Sequence, residues 1–332
     1  MSARKAWGRT ANGEIVDKVV LQNGPLRAEV ITFGAILRDL RYVGHAAPLV
    51  LGLNSVADYE ADPAYLGAVV GRFANRIAGA RMSVDGVDYI LDANENGSML
   101  HGGKAGFSRQ NWSIEGLSDN EVTLCLQSPD GDMGFPGNLT VRCTYALEDQ
   151  GVLRVAFNAE TDAPTVCSLA QHSYFNLQDG GASSIHDHQL TLLADAYLPV
   201  NALLIPAGAP ENIDGVWLDF RQTREIGPSQ IDHNYCLSQE RVPVRPVARL
   251  ASPASGMALE LATTEPGLQV YTGDGLSGGT AGLDKTFYRT RAGIALETQV
   301  WPDAPNRPEF PSAFLRPGLP LQQVTQLRFI KS

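Results

Sequence analysis

The feature that most constrains the fold is an alternation of apolar and mostly polar residues with a period of two. It is clearest in residues 139–147, where the apolar positions are Leu139, Val141, Cys143, Tyr145 and Leu147. Residues 122–126 and 153–159 repeat it. Successive side chains of a strand point to opposite faces, so this pattern predicts strands with one buried face. Half-polar strands are typical of antiparallel sheets, because both faces of a parallel sheet are covered.

Further strands and turns follow the same rhythm along the chain. Strands are predicted over 19–22, 27–32, 83–91, 189–194, 246–251, 257–263, 268–272 and 292–300. Turn signals recur at Asp85-Gly86, Asn96-Gly97, Asp130-Gly131, Asp149-Gln150-Gly151 and Asp179-Gly180-Gly181. Helical patterning is confined to a short stretch around 55–62. With 33 glycines and 20 prolines among many short strands, we predict an all-β fold, a large antiparallel β-sandwich with few short helices.

Length and charge bound the organisation and the partners. Sandwiches of more than about 200 residues often form one domain. No linker, charge block or repeat divides the 332 residues, so 1–332 is predicted to be a single domain. The net charge of −10 argues against binding to nucleic acid or to an anionic membrane surface. Neither a signal peptide nor a transmembrane run is evident, so we expect the cytoplasm.

Cysteines and histidines give little sign of a metal site. The four cysteines, at 125, 143, 167 and 236, have no CxxC spacing, and the first three lie in apolar, strand-like runs. They are predicted to be buried free thiols rather than a disulfide framework or a zinc site. His186-Asp187-His188 has no third ligand nearby, and Asp130-Gly131-Asp132 lacks the rest of a calcium loop, so no metal is expected.

Two titratable residues stand in apolar settings far apart in sequence. Glu297 ends an apolar run just before a loop rich in proline. A carboxylate at the end of a buried strand has a fixed place and a partly dry environment, as a general base needs. A strand-edge acid paired with an arginine is the plainer interpretation. His172 follows Gln171 and precedes Tyr174 and Phe175, where a core histidine is equally possible.

Two further segments add a cation and a second imidazole. Residues 71–77 contain Arg72 and Arg76, and either arginine could equally form a surface ion pair. His101 is followed by two glycines, which let the backbone pass close to a ligand, although a turn histidine has the same appearance.

Together these segments resemble the aldose 1-epimerase (galactose mutarotase) family. The similarity runs in order along nearly the whole chain, through residues 34–35, 71–77, 100–103, 128–131, 135–139, 171–177, 231–235, 268–273 and 295–311. It implies a galactose mutarotase-like sandwich with a sugar cleft on one face. It also implies an isomerase that interconverts the α and β anomers of a free aldose without a cofactor or a metal.

The resemblance also implies roles for individual residues. Glu297 is the base on the anomeric hydroxyl and His172 the acid at the ring oxygen. The implied sugar contacts are Asn75, Arg76, His101, Tyr174, Asp232 and Gln269. Arg76 is preferred to Arg72 because its spacing from His101 matches the family. Trp301, four residues after Glu297, is the best candidate to stack on a sugar face, whereas Trp112 is expected to fill the core.

The chemistry itself requires one acid and one base across the C1–O5 unit of the sugar. Burial raises the pKa of a glutamate and lowers that of a histidine, which would bring both closer to neutral pH. The pH dependence of kcat should then be a bell, with Glu297 on its acidic limb and His172 on its basic limb, although a coupled pair has only macroscopic pKa values.

Three other functions share these residues. A sugar-phosphate 1-epimerase would need additional cations around the cleft. A glycoside hydrolase could use Glu297 and Asp232 as its carboxylate pair. A carbohydrate-binding protein without turnover would keep Arg76, His101 and Asp232 but would not need both His172 and Glu297. The sequence does not determine the preferred aldose among galactose, glucose, xylose and arabinose, or the choice between monomer and homodimer.

Overall fold

The computed structural model describes residues 3–332, which form antiparallel strands joined by short turns. The strands of the first half are β1 (Ala3–Arg9), β2 (Ile15–Asn23), β3 (Leu26–Ile31), β4 (Ile36–Tyr42), β5 (Val69–Val70), β6 (Arg76–Ile77), β7 (Arg81–Val84), β8 (Val87–Ile90), β9 (Met99–Leu100), β10 (Ser113–Leu117), β11 (Glu121–Ser128), β12 (Leu139–Glu148) and β13 (Val152–Thr161). Those of the second half are β14 (Thr165–Val166), β15 (Ala170–Gln171), β16 (Tyr174–Phe175), β17 (Gln189–Leu192), β18 (Ala196–Tyr197), β19 (Glu211–Asn212), β20 (Arg224–Glu225), β21 (Asp232–Cys236), β22 (Arg245–Ser252), β23 (Met257–Thr263), β24 (Gly267–Tyr271), β25 (Ile294–Gln299), β26 (Phe314–Leu315) and β27 (Leu321–Lys331).

Three larger sheets build the molecule. A nine-stranded sheet has the order β10-β11-β12-β13-β27-β23-β22-β17-β20. A four-stranded sheet, β1-β2-β3-β4, and a six-stranded sheet, β16-β25-β24-β21-β18-β19, share one buried apolar cluster with it. Val141 of the nine-stranded sheet, Val30 of the four-stranded sheet and Val270 of the six-stranded sheet all belong to that cluster. The predicted antiparallel β-sandwich is therefore confirmed.

The alternating segments form the centre of the nine-stranded sheet. Strands β12 and β13 pair along their whole length, from Leu139↔Thr161 to Glu148↔Val152, and the predicted connection 149–151 is a single 3-10 turn between them. Strand β27 lies between β13 and β23, so the segment farthest along the chain closes the middle of the sheet. The sheet therefore depends on contacts between residues distant in sequence.

One predicted strand is wrong in its extent. Residues 83–91 do not form a single strand, because the chain reverses at Asp85-Gly86 into the hairpin of β7 and β8. Both turn residues have positive φ, 52° for Asp85 and 81° for Gly86, as a tight two-residue hairpin turn requires. Here the turn chemistry overrides the alternation that continues through it.

The predicted helical stretch is the single α-helix of residues 3–332, α1 (Val56–Ala61). Ser55 caps it, since its Oγ accepts a hydrogen bond from the backbone N–H of Asp58 at 3.1 Å and donates one to the Asp58 carboxylate at 2.7 Å. None of the helices within this range is long and apolar enough to cross a membrane.

The cysteines and tryptophans partly depart from expectation. All four cysteines are free, but only Cys143 and Cys167 are buried, and the other two are partly exposed. Trp112 is buried in the core as expected. The prediction that Trp301 stacks on a sugar is wrong, because the residue is fully buried. Its indole N–H donates to the Pro266 carbonyl at 2.8 Å, and its ring packs on Phe310. It follows the end of β25, where the strand alternation no longer applies.

Candidate active site

A cleft of about 290 Å³ lies over the face of the six-stranded sheet that points away from the core. Seven of the eight predicted site residues line it: Asn75, Arg76, His101, His172, Tyr174, Asp232 and Glu297. The eighth, Gln269, is buried and donates a hydrogen bond from its Nε2 to the Asp232 carboxylate at 2.5 Å. The structure therefore gathers all the predicted residues at one place.

Strand alternation puts the side chains of the sheet into this cleft. Leu268 and Leu296 belong to the core, so the neighbouring Gln269 and Glu297 point to the opposite face. Gln269 and Glu297 are directly paired across β24 and β25. Strand β21 brings Asp232 to the other side of β24, and β16 brings Tyr174 next to β25. Four adjacent strands thus form the floor.

Glu297 and His172 form a buried acid–base pair. The Nε2 atom of His172 lies 3.6 Å from Oε1 of Glu297, too far for a hydrogen bond, and the side chains are only 5% and 2% exposed. The other polar atoms, His172 Nδ1 and Glu297 Oε2, have no hydrogen-bond partner within residues 3–332. His172 is held by its backbone, which pairs with Ala68 and Gly67 at 2.8 and 2.9 Å. The facing atoms, Nε2 and Oε1, also have no hydrogen bond within the described residues, so they are the ones left for a ligand in the cleft.

Burial shifts both pKa values strongly. It raises the pKa of Glu297 to about 8, with the nearby Asp232 adding to the rise and Arg76 opposing it. It lowers the pKa of His172 to about 4. Both directions agree with expectation, but the shifts are so large that the pKa of Glu297 lies above that of His172. At a pH between these two pKa values, the pair holds one proton. Burial favours the state in which Glu297 carries that proton, because both groups are then neutral.

His101 is a neutral donor beside this pair. Its Nδ1 accepts a hydrogen bond from the backbone N–H of Asn75 at 3.1 Å, so its proton is on Nε2. Burial, together with His172 and Arg76, keeps the pKa of His101 well below its usual value. Asn75 and His101 both have left-handed backbones, with φ of 64° and 51°, a region that Asn and His enter more readily than most residues.

Arg76 and Asp232 add charge to the cleft. The Arg76 guanidinium is held by Glu95 through two hydrogen bonds, Nε to Oε2 at 2.5 Å and Nη2 to Oε1 at 3.0 Å. Asp232 is held by Gln269, and burial raises its pKa. Arg76 is thus an ion-paired residue, as the plainer interpretation had it, but the pair lies in the cleft rather than on the open surface.

Arg72 lies outside the cleft and is wholly engaged by the protein. Its Nε donates to Ser128 Oγ, and its two amino groups donate to the carbonyls of Ser128, Pro129, Pro136 and Gly137. It is 1% exposed. The structure therefore places Arg76, not Arg72, where a ligand could reach it.

Several cleft residues were missed from the sequence. Tyr65, Glu95 and Tyr271 all line the cleft. The Tyr65 ring packs on His101 at 4.7 Å and lies 5.9 Å from His172. Glu95 directly precedes the Asn96-Gly97 turn, a signal that could have marked it as ordered. No local signal distinguishes Tyr65 or Tyr271 from other tyrosines.

One group in the cleft has the residue types of a metal site. The donor atoms of His101, His172 and Glu297 all lie within 4.8 Å of one another. However, the Asn75 N–H occupies His101 Nδ1 and leaves the proton on Nε2, while His172 Nδ1 lacks the orienting partner that metal-ligating histidines have. The arrangement therefore fits hydrogen bonding to an oxygen-rich ligand better than metal ligation.

The two histidines of the segment 186–188 are engaged elsewhere. His188 is fully buried, and its Nε2 accepts a hydrogen bond from the Leu177 backbone N–H at 3.0 Å. His186 Nε2 lies 3.0 Å from an amino group of Arg291. One ring nitrogen of each histidine is thus engaged in local structure.

Comparisons with known proteins agree with this geometry. The family model described as aldose 1-epimerase matches residues 17–328. The chain is 40% identical to galactose mutarotase of Homo sapiens, over 96% of this chain and 95% of that protein. It is 35% identical to aldose 1-epimerase of Escherichia coli strain K12, over 93% of each.

Solved structures share the fold. A crystal structure of an aldose epimerase homologue from C. elegans has a TM-score of 0.88 at 27% identity, over 95% of this chain and 98% of that one. A crystal structure of galactose 1-epimerase from Lactobacillus acidophilus NCFM has a TM-score of 0.86 at 25% identity, over 100% of this chain and 99% of that one.

Proposed function

Because the chain belongs to the aldose 1-epimerase family, we propose that Glu297 and His172 are the acid–base pair with which it interconverts the α and β anomers of a free aldose. The observation that carries this proposal is the buried pair itself, 3.6 Å apart, with hydrogen-bonding capacity left on both side chains. Ring opening needs one group to accept a proton and another to donate one, at neighbouring oxygens of the sugar.

The reaction begins from a rearrangement of the single proton of the pair. The working form is the Glu297 carboxylate with the His172 imidazolium. Arg76 favours this form because its charge lowers the pKa of Glu297. Sugar hydroxyls that donate to the carboxylate favour it further, since hydrogen bonds to a charged form stabilise that form.

Opening and closing then use the same two groups in reverse. Glu297 accepts the proton of the anomeric hydroxyl while the C1–O5 bond breaks, and His172 protonates the ring oxygen, which gives the open aldehyde. The aldehyde turns about its C1–C2 bond. His172 takes the proton back from the O5 hydroxyl as that oxygen attacks the other face of C1, and Glu297 returns its proton to O1. The pair ends in the form in which it began.

The remaining cleft residues suit a neutral, hydroxylated ligand. Arg76 and His101 offer donors, and Asp232, fixed by Gln269, offers a charged acceptor for sugar hydroxyls. We assign sugar contacts also to Asn75 and Tyr174, whose ring lies 5.0 Å from that of His172.

The cation count of the cleft favours a free sugar over a sugar phosphate. Arg76 is the one lysine or arginine among the described residues that line the cleft, and Glu95 already pairs with it. A phosphoryl group would need cations that are not neutralised in this way.

Polarimetry of freshly dissolved α-aldoses tests the proposal. Purified protein should accelerate the approach to anomeric equilibrium, with saturation, for at least one of galactose, glucose, xylose and arabinose. A phosphorylated aldose should be turned over less well than its free parent. Sugar binding by calorimetry without acceleration for any aldose would instead identify a carbohydrate-binding protein.

A further inference from the structure

The contact between Arg76 and Glu95 leaves one edge of the guanidinium free. A guanidinium has five N–H groups, and the bidentate contact through Nε and Nη2 uses two of them. Nη1 has no acceptor within residues 3–332. Both side chains line the cleft and are mostly buried, with Arg76 10% and Glu95 28% exposed. Glu95 thus fixes the plane of the guanidinium without occupying the edge that a ligand would use.

A tight turn holds the Glu95 carboxylate in place. The backbones of Glu95 and Ser98 exchange two hydrogen bonds, at 3.1 and 2.7 Å, around Asn96 and Gly97. Both turn residues have positive φ, 47° and 79°, as in the primed turns of two-residue hairpins. This hairpin leads into β9, where Leu100 pairs with Arg76. The carboxylate and the guanidinium therefore sit on neighbouring, hydrogen-bonded segments.

Charge in the cleft links this pair to Glu297. The groups that face Glu297 are His172, His101, Asp232 and Arg76, with Tyr174 and Tyr271 on the adjoining strands. Arg76 lowers the pKa of both Glu297 and Asp232. The negative charge of Glu95 acts in the opposite direction on Asp232. Removing it would expose Glu297 to the full field of Arg76.

From these contacts we propose that Glu95 is a positioning residue that acts through Arg76. Glu95 orients the free edge of the Arg76 guanidinium toward the sugar. Its negative charge also offsets part of the positive charge of Arg76 beside Glu297. The inference rests on the proposed function, and it adds to the acid–base pair a residue that sets how strongly Arg76 acts on it.

Glu95→Gln tests the proposal, because it keeps the size of the side chain and removes its charge. KM should rise about tenfold, the effect of weakening a hydrogen bond to a charged group, with kcat within about threefold of wild type. The basic limb of the kcat/KM profile, set by Glu297, should move to lower pH by about half a unit to one unit, because Glu297 then releases its proton more readily. A residue that only packs would not move this limb.

A matched pair elsewhere provides the control. Arg142 and Glu115 make the same bidentate contact, Nε to Oε2 at 2.6 Å and Nη2 to Oε1 at 3.0 Å, on the surface of the nine-stranded sheet. Glu115→Gln should leave KM and both limbs unchanged. In an Arg76→Ala background, Glu95→Gln should have no further effect on KM.

Glu95→Asp provides a second variant, which keeps the charge at a shorter reach. It should raise KM less than Glu95→Gln does and leave the basic limb at the wild-type pH. The proposal is overturned if folded Glu95→Gln has the KM and basic limb of wild type, or if its effect on KM is as large in the Arg76→Ala background. If Glu95→Gln does not fold, an unchanged KM in Glu95→Asp overturns it instead. A wild-type protein without mutarotation refutes the proposed function, which is a different outcome.

Discussion

The region around Arg72 and the cleft around Arg76 differ in how fully they use buried hydrogen-bonding groups. The two arginines are 1% and 8% exposed, so burial alone does not separate them. Arg72 donates to a hydroxyl and four carbonyls, and it joins loops of the protein. Arg76 uses one side of its guanidinium and keeps the other open. Most buried polar groups in structural positions are satisfied, so unused capacity that faces an open cleft indicates a position suited to a ligand.

Two histidines differ in their surroundings rather than in their unused atoms, since Nδ1 of each has no hydrogen-bond partner within residues 3–332. Burial lowers the pKa of both His188 and His172 to about 4. His188 lies in the interior and accepts a hydrogen bond from the Leu177 backbone, whereas His172 faces a carboxyl group across the cleft. A shifted pKa is therefore common to both regions, and only its combination with a partner and an open face indicates chemistry.

The largest effect should follow Glu297→Gln. The substitution keeps the shape of the side chain and removes its ability to accept a proton, so mutarotation should fall by at least about 10² while the protein stays folded. Glu265, fully buried and paired with Arg241 at 2.8 Å, is the interior control. Folded Glu265→Gln should retain kcat. If Glu297→Gln turns over sugar at nearly the wild-type rate in polarimetry, Glu297 has no part in the mechanism.

The same variant has a second signature in stability. The folded-state pKa of Glu297, about 8, lies above that of a free carboxyl, so the unfolded chain releases the proton first and wild type loses stability as pH rises toward that value. Gln carries no such penalty. Thermal melts should show Glu297→Gln gaining stability relative to wild type between pH 5 and pH 8, by roughly 1–4 kcal/mol.

His172→Asn should have the next largest effect on turnover, a fall in kcat of about 10², with sugar binding retained. Wild-type kcat/KM, which reports the ligand-free protein, should decline below pH about 4, where His172 gains a second proton for the pair, and above pH about 8, where Glu297 loses the last one. This reverses the assignment of the limbs expected from sequence. The variant should lose the basic limb, because with the acid removed Glu297 works only as a carboxylate, and the remaining turnover should rise as Glu297 loses its proton.

The interior histidine sharpens this test. His188→Asn should lower thermal stability and leave both limbs in place. A decline in activity above pH about 8 that persists in His172→Asn would assign the role of acid to another group, and His101 would be the first to examine.

A smaller effect on activity separates the two arginines. Arg76→Ala and Asp232→Ala should lower kcat/KM by about one to two decades, since each removes a charged hydrogen bond of roughly 1.5–3 kcal/mol, and should change stability little. Arg72→Met should instead lower stability and leave kcat/KM unchanged. It leaves several buried carbonyls without a donor and should lower the free energy of unfolding by more than about 3 kcal/mol, while the folded fraction keeps its kcat/KM. Equal losses of kcat/KM in Arg76→Ala and Arg72→Met would show that the two arginines do not differ in function.

Chelation of metal ions is expected to have no effect on turnover. Proton transfer and bond rotation need only side chains, so treatment with EDTA followed by dialysis should leave kcat unchanged. Activity that is lost and then restored by one divalent ion would assign a ligand role to His101, His172 and Glu297, whose donor atoms lie close enough to be drawn together.

Much of this architecture follows from the sequence for identifiable reasons. Alternation predicted the strands around 139–147 and 153–159, and helical patterning predicted the short stretch that forms α1. These patterns did not predict the structure correctly at two places. Turn chemistry at Asp85-Gly86 splits one predicted strand, and the chain leaves the strand geometry before Trp301, which turns inward.

The site was predictable only in part. The segments with family resemblance converge on the cleft, but Glu95 and Tyr65 belong to it through contacts between residues far apart in sequence. The same holds for the pKa values. Their direction follows from burial, whereas the inversion of Glu297 and His172 depends on how deeply the folded sheet encloses both.

The position of β27 has a consequence for how the protein is made. Strands β13 and β23 leave the ribosome well before β27, yet β27 is the strand that joins them. Until Lys331 has emerged, each presents an open edge to the crowded environment of translation, and open edges pair readily with other chains. A nascent chain halted before Leu321 should therefore depend on chaperones to remain in solution, and release from them should coincide with the insertion of a single strand.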